Sequence, residues 1–292
     1  MTDIPGVVGV LGGGRMGAGI AHAFVVSGSR VRIVERDDDQ ASAALGRVTS
    51  ALAASVDRGT TGESLASLNA RIETGTDDAL FDECELVIEA VPEDIELKIA
   101  SLARIEDRVG AATPIASNTS SLSIDELAAS LRFPQRFLGL HFFNPVPASE
   151  LVEIVVGAST DRAVVADAQD WVAAIGKTPV TVKDSPGFAS SRLGVAIGLE
   201  AIRMLEEGVA SAEDIDAAMV LGYKFPVGPL RLTDLVGLDV RLGIAEYLHS
   251  QLGERFTPPQ LLRDKVAAGE LGRKTGSGFF RWDDSPRQGG TS

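Results

Sequence analysis

One cysteine, three histidines, two tryptophans and two tyrosines are all that this 292-residue chain has of those residue types. The single thiol, Cys84, excludes an internal disulfide, and in the run Glu-Cys-Glu-Leu-Val it reads as a small buried or strand-edge side chain. No metal site is expected. No run approaches the ~18 uncharged apolar residues that a membrane helix needs. The apolar start is broken by Gly12, Gly13, Gly14 and Arg15, so neither a signal peptide nor a membrane segment is read, and a cytoplasmic setting is expected. Basic residues are scarce as well: 27 Lys and Arg face 41 Asp and Glu, a net charge of -14. That balance argues against a nucleic-acid backbone or an anionic membrane as partner. It is also uneven. Residues 1–184 hold 15 basic and 27 acidic side chains and the remainder 12 and 14, which suggests a composition break near Pro186.

What is present starts with a core: 45% of the residues are hydrophobic, enough at this length for about two domains. Residues 7–11 form a short apolar run that ends in Gly12-Gly13-Gly14-Arg15-Met16-Gly17, followed by a helix rich in small residues over 18–26. A second apolar run, 31–34, ends in Glu35, eighteen residues past Gly17. Strand, Gly-rich turn, helix, strand and acid in that order form a dinucleotide cradle. The glycines admit a pyrophosphate, the helix N-terminus offers positive dipole, and the acid accepts from ribose hydroxyls. Because Glu35 repels a 2'-phosphate, NAD is expected over NADP, although Arg36 beside Asp37, Asp38 and Asp39 leaves an arginine within reach.

Further along, residues 41–72 read as helical with a break at 59–62, giving two helices that project from the sheet. A strand over 86–90 ends in Val91-Pro92-Glu93, an amphipathic helix covers 95–109, and a strand over 114–117 leads into Asn118, Thr119, Ser120 and Ser121. Polar residues at the carboxyl end of a strand are where open α/β sheets keep their ligands. After residue 188 strand signals stop and 191–252 is mostly helical. The expected domains are 1–185, a doubly wound Rossmann-type sheet, and 186–282, all-α, with a Ser/Gly/Pro-rich tail at 283–292 that should fray.

The stretch 139–155 places one of the three histidines, His141, beside an Asn-Pro turn and twelve residues before Glu153. A catalytic imidazole needs a partner that fixes its tautomer and offsets its developing charge, and a carboxylate returned by a short reversal supplies both. Other readings stand beside this one. Glu153 could be only the polar member of an alternating strand, Ser120 a cap for a helix near Ile124, Lys98 a solvated helix residue and Lys274 a loop cation. His22 and His249 read as structural, and Phe142, Phe143, Phe279 and Phe280 as packing.

Nearly end to end, the chain resembles the 3-hydroxyacyl-CoA dehydrogenases, in particular the short bacterial 3-hydroxybutyryl-CoA dehydrogenase type. The resemblance is carried by the Gly12–Gly17 turn, Val87-Ile-Glu-Ala-Val-Pro-Glu93, Ser117-Asn-Thr-Ser-Ser-Leu122, His141-Phe-Phe-Asn-Pro-Val-Pro147, Asp184-Ser-Pro-Gly-Phe188, Glu213-Asp-Ile-Asp-Ala-Ala-Met219, Gly228-Pro-Leu230 and Gly272-Arg-Lys-Thr-Gly-Ser-Gly-Phe279. It implies a Rossmann domain with a projecting helical hairpin, then an all-α domain through which two copies form a homodimer. It also implies a place in fatty acid metabolism, where NAD oxidises an L-3-hydroxyacyl-CoA. Matched residue by residue, it makes His141 the general base, Glu153 its orienting partner and Ser120 a contact of substrate oxygen and cofactor. Gly12, Gly13, Gly14, Arg15, Met16, Gly17, Glu35, Glu93, Lys98, Asn144 and Lys274 become cofactor contacts, and Asn144 and the position of Ser191 touch substrate.

Two departures accompany the resemblance. Ser191 stands before Arg192 where the family has an asparagine whose amide helps hold substrate, so either water fills the gap or the substrate differs. The hairpin, which in the family often carries lysines and where a serine and a lysine contact coenzyme A, has only Arg47, Arg58 and Arg71 as basic residues over 41–72. Three functions are therefore weighed: a short-chain 3-hydroxyacyl-CoA dehydrogenase, the same chemistry on a carrier-protein-bound or free hydroxy acid, and a non-catalytic NAD-binding structural protein.

Overall fold

The computed structural model describes residues 4–282, so the tail expected at 283–292 lies outside the described residues. The chain divides into two units, Met1–Phe188 and Ala189–Ser292. The first is built from β1 (Val7–Leu11), α1 (Arg15–Val26), β2 (Arg30–Val34), α2 (Asp38–Asp57), α3 (Leu65–Asn69), β3 (Ile72–Gly75), β4 (Leu86–Glu89), α4 (Ile95–Arg108), β5 (Ile115–Ser117), α5 (Ile124–Ala128), β6 (Phe137–Phe142), β7 (Leu151–Val156), α6 (Arg162–Ala174) and β8 (Thr178–Lys183). Its eight strands lie in the order β3-β2-β1-β4-β5-β6-β7-β8, and every neighbouring pair is parallel except β6 with β7. The order reverses between β1 and β4, which opens a crevice at the carboxyl ends of those strands.

Strand β1 shows why the apolar runs are unbroken. Val8 and Val10 point into a core with Ile20, Phe24, Val48 and Leu52, while Val7 and Leu11 point into a second core with Phe81, Leu102 and Ile105. Alternate side chains face opposite layers, and both layers are covered by helices. Helix α1 starts without a side-chain cap at Gly14 and buries Ala18, Ile20, Ala21 and Phe24. A Cβ on Gly17 would overlap the Gly12 carbonyl, so the helix lies directly on the turn. Asp37 caps α2 by accepting from the Gln40 N–H at 2.8 Å, and Ala41, Ala44, Val48, Leu52 and Ser55 line its buried face.

One local expectation needs correction, and two of the alternative readings fall away. Helical character ends at Asn69, and Ile72–Gly75 pairs with β2 as the edge strand; four residues are too few for a period of two to emerge against the helical pattern before them. The helix near Ile124 is capped by Ser123, which accepts from the Glu126 N–H at 3.2 Å, so Ser120 is not its cap. Lys98 is not solvated: it is 1% exposed. Cys84 precedes β4 and is buried, and burial pushes its thiol up to about 12.

The second unit is helical: α7 (Ser190–Glu206), α8 (Ala212–Ala217), α9 (Pro229–Val236), α10 (Leu238–Leu252) and α11 (Gln260–Ala267) enclose Val195, Leu199, Ile202, Ile215, Leu230, Leu238, Leu248 and Leu262. Two carboxylates explain its sequence markers. Asp216 accepts from the Leu230 and Arg231 N–H groups at 2.8 and 2.9 Å and caps α9, and a Cβ on Gly228 would overlap it. Asp234 accepts from Phe279 N, Phe280 N and Trp282 Nε1 at 2.8, 2.9 and 2.8 Å, tying the last described residues to α9. Among the described residues no helix is long and apolar enough to cross a membrane.

Candidate active site

The carboxyl ends of β1, β2, β4, β5 and β6 bring most of the expected residues of the first unit to one side of the sheet. At β1, Gly12 takes φ 93°, a region costly for any side chain, and turns the chain into α1. The Gly13 N–H donates to Glu35 Oε1 at 2.7 Å, so the acid at the end of β2 is held against the Gly-rich turn. At Gly14 a Cβ would meet nothing within 4 Å. An uncapped helix N-terminus, a turn open at Gly14 and a carboxylate beside it fit a dinucleotide: donors for the pyrophosphate, an acceptor for ribose hydroxyls. Arg15 is exposed at this turn and Met16 packs partly against the core.

His141 and Glu153 come together through the sheet. They are cross-strand partners in the β6–β7 pair, and His141 Nδ1 lies 2.8 Å from Glu153 Oε2. Both are buried, at 6% and 1% exposure. A carboxylate at Nδ1 selects the tautomer with hydrogen on that nitrogen, which leaves the Nε2 lone pair for chemistry. The Phe143 ring lies 4.4 Å from the imidazole and the Phe188 ring 5.7 Å, so two of the phenylalanines here wall the histidine.

Ser120 belongs to a charged network. Glu93 Oε1 accepts from Thr119 Oγ1 at 2.7 Å, from Ser120 N and Oγ at 2.8 and 3.1 Å, and from Ser121 N and Oγ at 3.1 Å each. Burial pushes the Glu93 carboxyl up, but the Lys98 ammonium and these hydrogen bonds outweigh it and hold the carboxyl below the ordinary range. Lys98 Nζ lies 3.4 Å from Glu93 and donates to Glu89 at 2.7 Å and to the Val91 carbonyl at 3.2 Å. Glu89, fully buried, also accepts from Ser117 Oγ at 2.6 Å and the Val91 N–H at 2.7 Å. Asn118 Oδ1 accepts from the Phe142 N–H at 2.9 Å and joins β5 to β6, beyond which Asn144 is exposed.

Ser191 and Lys274 lie in the second unit. Ser191 is in the first turn of α7, half-buried, and Lys274 Nζ sits 2.6 Å from each carboxylate oxygen of Asp239. Of the structural histidines, His22 is buried with Nε2 2.8 Å from Ser55 Oγ, and His249 lies 3.2 Å from the Gly253 carbonyl. Glu89 escaped the sequence reading, although an acid closing the apolar run Leu-Val-Ile-Glu was its signal. In the first unit a cavity of about 620 Å³ is lined by His22, Ser55, Arg58, Pro145, Pro147 and Lys177.

Comparison with known proteins divides the chain similarly. The family model for the 3-hydroxyacyl-CoA dehydrogenase NAD binding domain matches residues 7–185, and that for the C-terminal domain matches 187–282. A probable 3-hydroxybutyryl-CoA dehydrogenase of Bacillus subtilis is 40% identical over 277 residues, covering 94% of this chain and 96% of its own. A 3-hydroxybutyryl-CoA dehydrogenase of Mycobacterium tuberculosis is 41% identical over 287 residues, covering 97% and 100%. Among solved structures, (S)-3-hydroxybutyryl-CoA dehydrogenase PaaH1 from Ralstonia eutropha superposes with a TM-score of 0.91 at 40% identity, over 96% of this chain and 100% of that one.

Proposed function

The chain belongs to the 3-hydroxyacyl-CoA dehydrogenase family, and we propose that within it this enzyme serves short L-3-hydroxyacyl chains of the 3-hydroxybutyryl size. As a member it catalyses the NAD-dependent oxidation of a 3-hydroxyacyl-CoA to the 3-ketoacyl-CoA, and the reverse reduction. The observation that carries the site assignment is the buried His141–Glu153 contact at 2.8 Å.

In this reading His141 Nε2 takes the proton of the C3 hydroxyl, and Glu153, accepting from Nδ1, keeps the ring oriented and offsets its developing charge. When bound, NAD supplies the acceptor for the hydride that leaves C3. Glu93 holds the Ser120 backbone N–H at 2.8 Å, and in this reading the single Ser120 hydroxyl hydrogen turns from Glu93 to the C3 oxygen when substrate binds. In the first unit Glu93 and Asn144 serve as cofactor contacts with the Gly12–Gly17 turn and Glu35, Asn144 also toward substrate, while Lys98, buried at 1% exposure, acts on the cofactor through Glu93; from the second unit the reading takes Lys274 for the cofactor and Ser191 for the substrate.

Chain length is supported by the names of the relatives, and coenzyme A as carrier by the 620 Å³ cavity, to which the hairpin contributes Arg58. Lys177, also at that cavity, anchors the turn after β6 by donating to the Val146 and Ser149 carbonyls at 2.7 and 2.5 Å. The reading includes domains at 1–185 and 186–282, a homodimer formed through the helical unit, and, from the single thiol, a cytoplasmic setting. Initial rates of NADH oxidation with acetoacetyl-CoA, longer 3-ketoacyl-CoAs and free acetoacetate test it. Acetoacetyl-CoA should give the highest kcat/KM; preference for the free acid or for a long chain would overturn the substrate assignment.

A further inference from the structure

Helix α2 sends one cation into the Gly-rich turn. Arg47 Nε donates to the Gly13 carbonyl at 2.9 Å, and the N–H of the same glycine is held by Glu35 at 2.7 Å. Ala44, one helical turn before Arg47, packs so closely that a Cβ on Gly13 would overlap its methyl. The guanidinium is thus fixed at the turn through Nε, which leaves both Nη amino groups to reach onward. Among the described residues no carboxylate lies within ion-pair distance of Arg47, in a chain of net charge -14. Elsewhere in the first unit Arg71 pairs with Glu63 at 2.7 Å, Arg32 with Glu83 at 2.7 Å and Arg36 with Asp37 at 3.0 Å, whereas Arg47 and the exposed Arg15 of the turn form no ion pair among the described residues. Gly14, the next residue of the turn, is open to a ligand.

We propose that Arg47 is a further cofactor-binding residue, contributed by the helical hairpin, whose guanidinium contacts the NAD pyrophosphate at the phosphate of its adenylate half. The adenylate half is favoured because Arg47 and Glu35 hold the same glycine, and Glu35 is the ribose acceptor. A planar fork of donors matches phosphate oxygens, and a cation already immobilised by one hydrogen bond loses little further freedom on binding. The cradle then takes its positive charge from α2 as well as from the N-terminus of α1.

Calorimetric titration of the parent, Arg47→Gln and Arg47→Lys with NADH, ADP-ribose and adenosine, at low and high salt, tests the assignment without turnover. Arg47→Gln should weaken NADH and ADP-ribose alike by about tenfold, leave adenosine within about twofold, and flatten the salt dependence for ADP-ribose. Arg47→Lys should fall between parent and Arg47→Gln. Unchanged ADP-ribose affinity, or a loss shared equally by adenosine, would overturn the proposal, the latter because it marks a distorted turn. Should Arg47→Gln fail to fold, Arg47→Lys and the salt dependence of the parent decide by the same criteria.

Discussion

His141 and Glu153 stand opposite each other across the antiparallel β6–β7 pair, and it is strand register that sets their 2.8 Å contact. The same register places Gly139 against Val155 and Leu140 against Ile154. A slip of one residue would turn Glu153 to the other face of the sheet and leave His141 without its carboxylate.

His141→Gln should leave NADH affinity nearly unchanged and lower kcat by about two to four orders of magnitude, the usual span for a lost general acid/base. Glu153→Gln should harm the rate more than binding, because it removes the charge but keeps a group near Nδ1. Steady-state rates beside calorimetry separate the two effects. Turnover of His141→Gln within a few-fold of the parent would place the base elsewhere.

NADH should bind more tightly than NADPH, because Glu35 sits at the turn with one oxygen held by the Gly13 N–H and would face a 2'-phosphate with like charge. Titration with both cofactors checks this, and Glu35→Ser should narrow the ratio. Equal or tighter binding of NADPH by the parent would remove Glu35 from the ribose role.

What the sequence made legible was short in range or carried by glycine. The Gly12–Gly17 turn, Glu35 and the His141/Glu153 pair are each set by one strand, turn or hairpin, so spacing along the chain reports spacing in the fold. Ser123 could have been found, since Ser123 and Glu126 have the spacing of a capping box. Longer relationships left no such mark. Lys98 looks like any lysine on an amphipathic helix until the bend after β4 folds it onto Glu89. Arg47 meets a backbone carbonyl 34 residues earlier, and a carbonyl has no residue type to be read.

The buried His22 should make the first unit acid-sensitive. Burial, helped by the Arg58 and Lys177 cations, lowers its pKa from 6.5 to about 4. The folded protein therefore resists a proton that the unfolded chain accepts. Stability is full above pH 6.5 and falls as pH drops toward 4, where the loss levels off at about 3 kcal/mol. His22→Gln can still bond Ser55 and has nothing to titrate. Urea unfolding of both proteins between pH 7 and 4 should show the variant losing less by about 2 to 3 kcal/mol; parallel curves would mean that His22 is protonated in the folded state.

A homodimer through the helical unit should appear as twice the chain mass of 30.6 kDa. Of the eleven large apolar residues exposed on the described chain, eight belong to that unit, Leu193, Ile197, Val209, Leu221, Tyr223, Leu235, Val236 and Val240, which makes it the face that a partner copy would cover. Light scattering at micromolar concentration measures it. A monomeric mass would count against this interface.

Ser191 separates an acyl-CoA substrate from a differently shaped one, because the family resemblance puts an asparagine in its place. It sits half-buried in the first turn of α7, where a longer side chain on the same backbone would extend the reach of its polar end. If water supplies the missing amide contact, Ser191→Asn should restore a direct hydrogen bond worth ~0.5 to 1.5 kcal/mol and raise kcat/KM on acetoacetyl-CoA up to about tenfold. If the pocket suits a bulkier or differently polar substrate, the asparagine should intrude and activity on acetoacetyl-CoA should stay poor or fall. Parallel kcat/KM values for parent and variant, with His141→Gln as the blank and NADH affinity as the control for folding, decide between them. A fall in a variant that still binds NADH would contradict water replacement and favour a carrier-protein-bound or free hydroxy acid as the substrate.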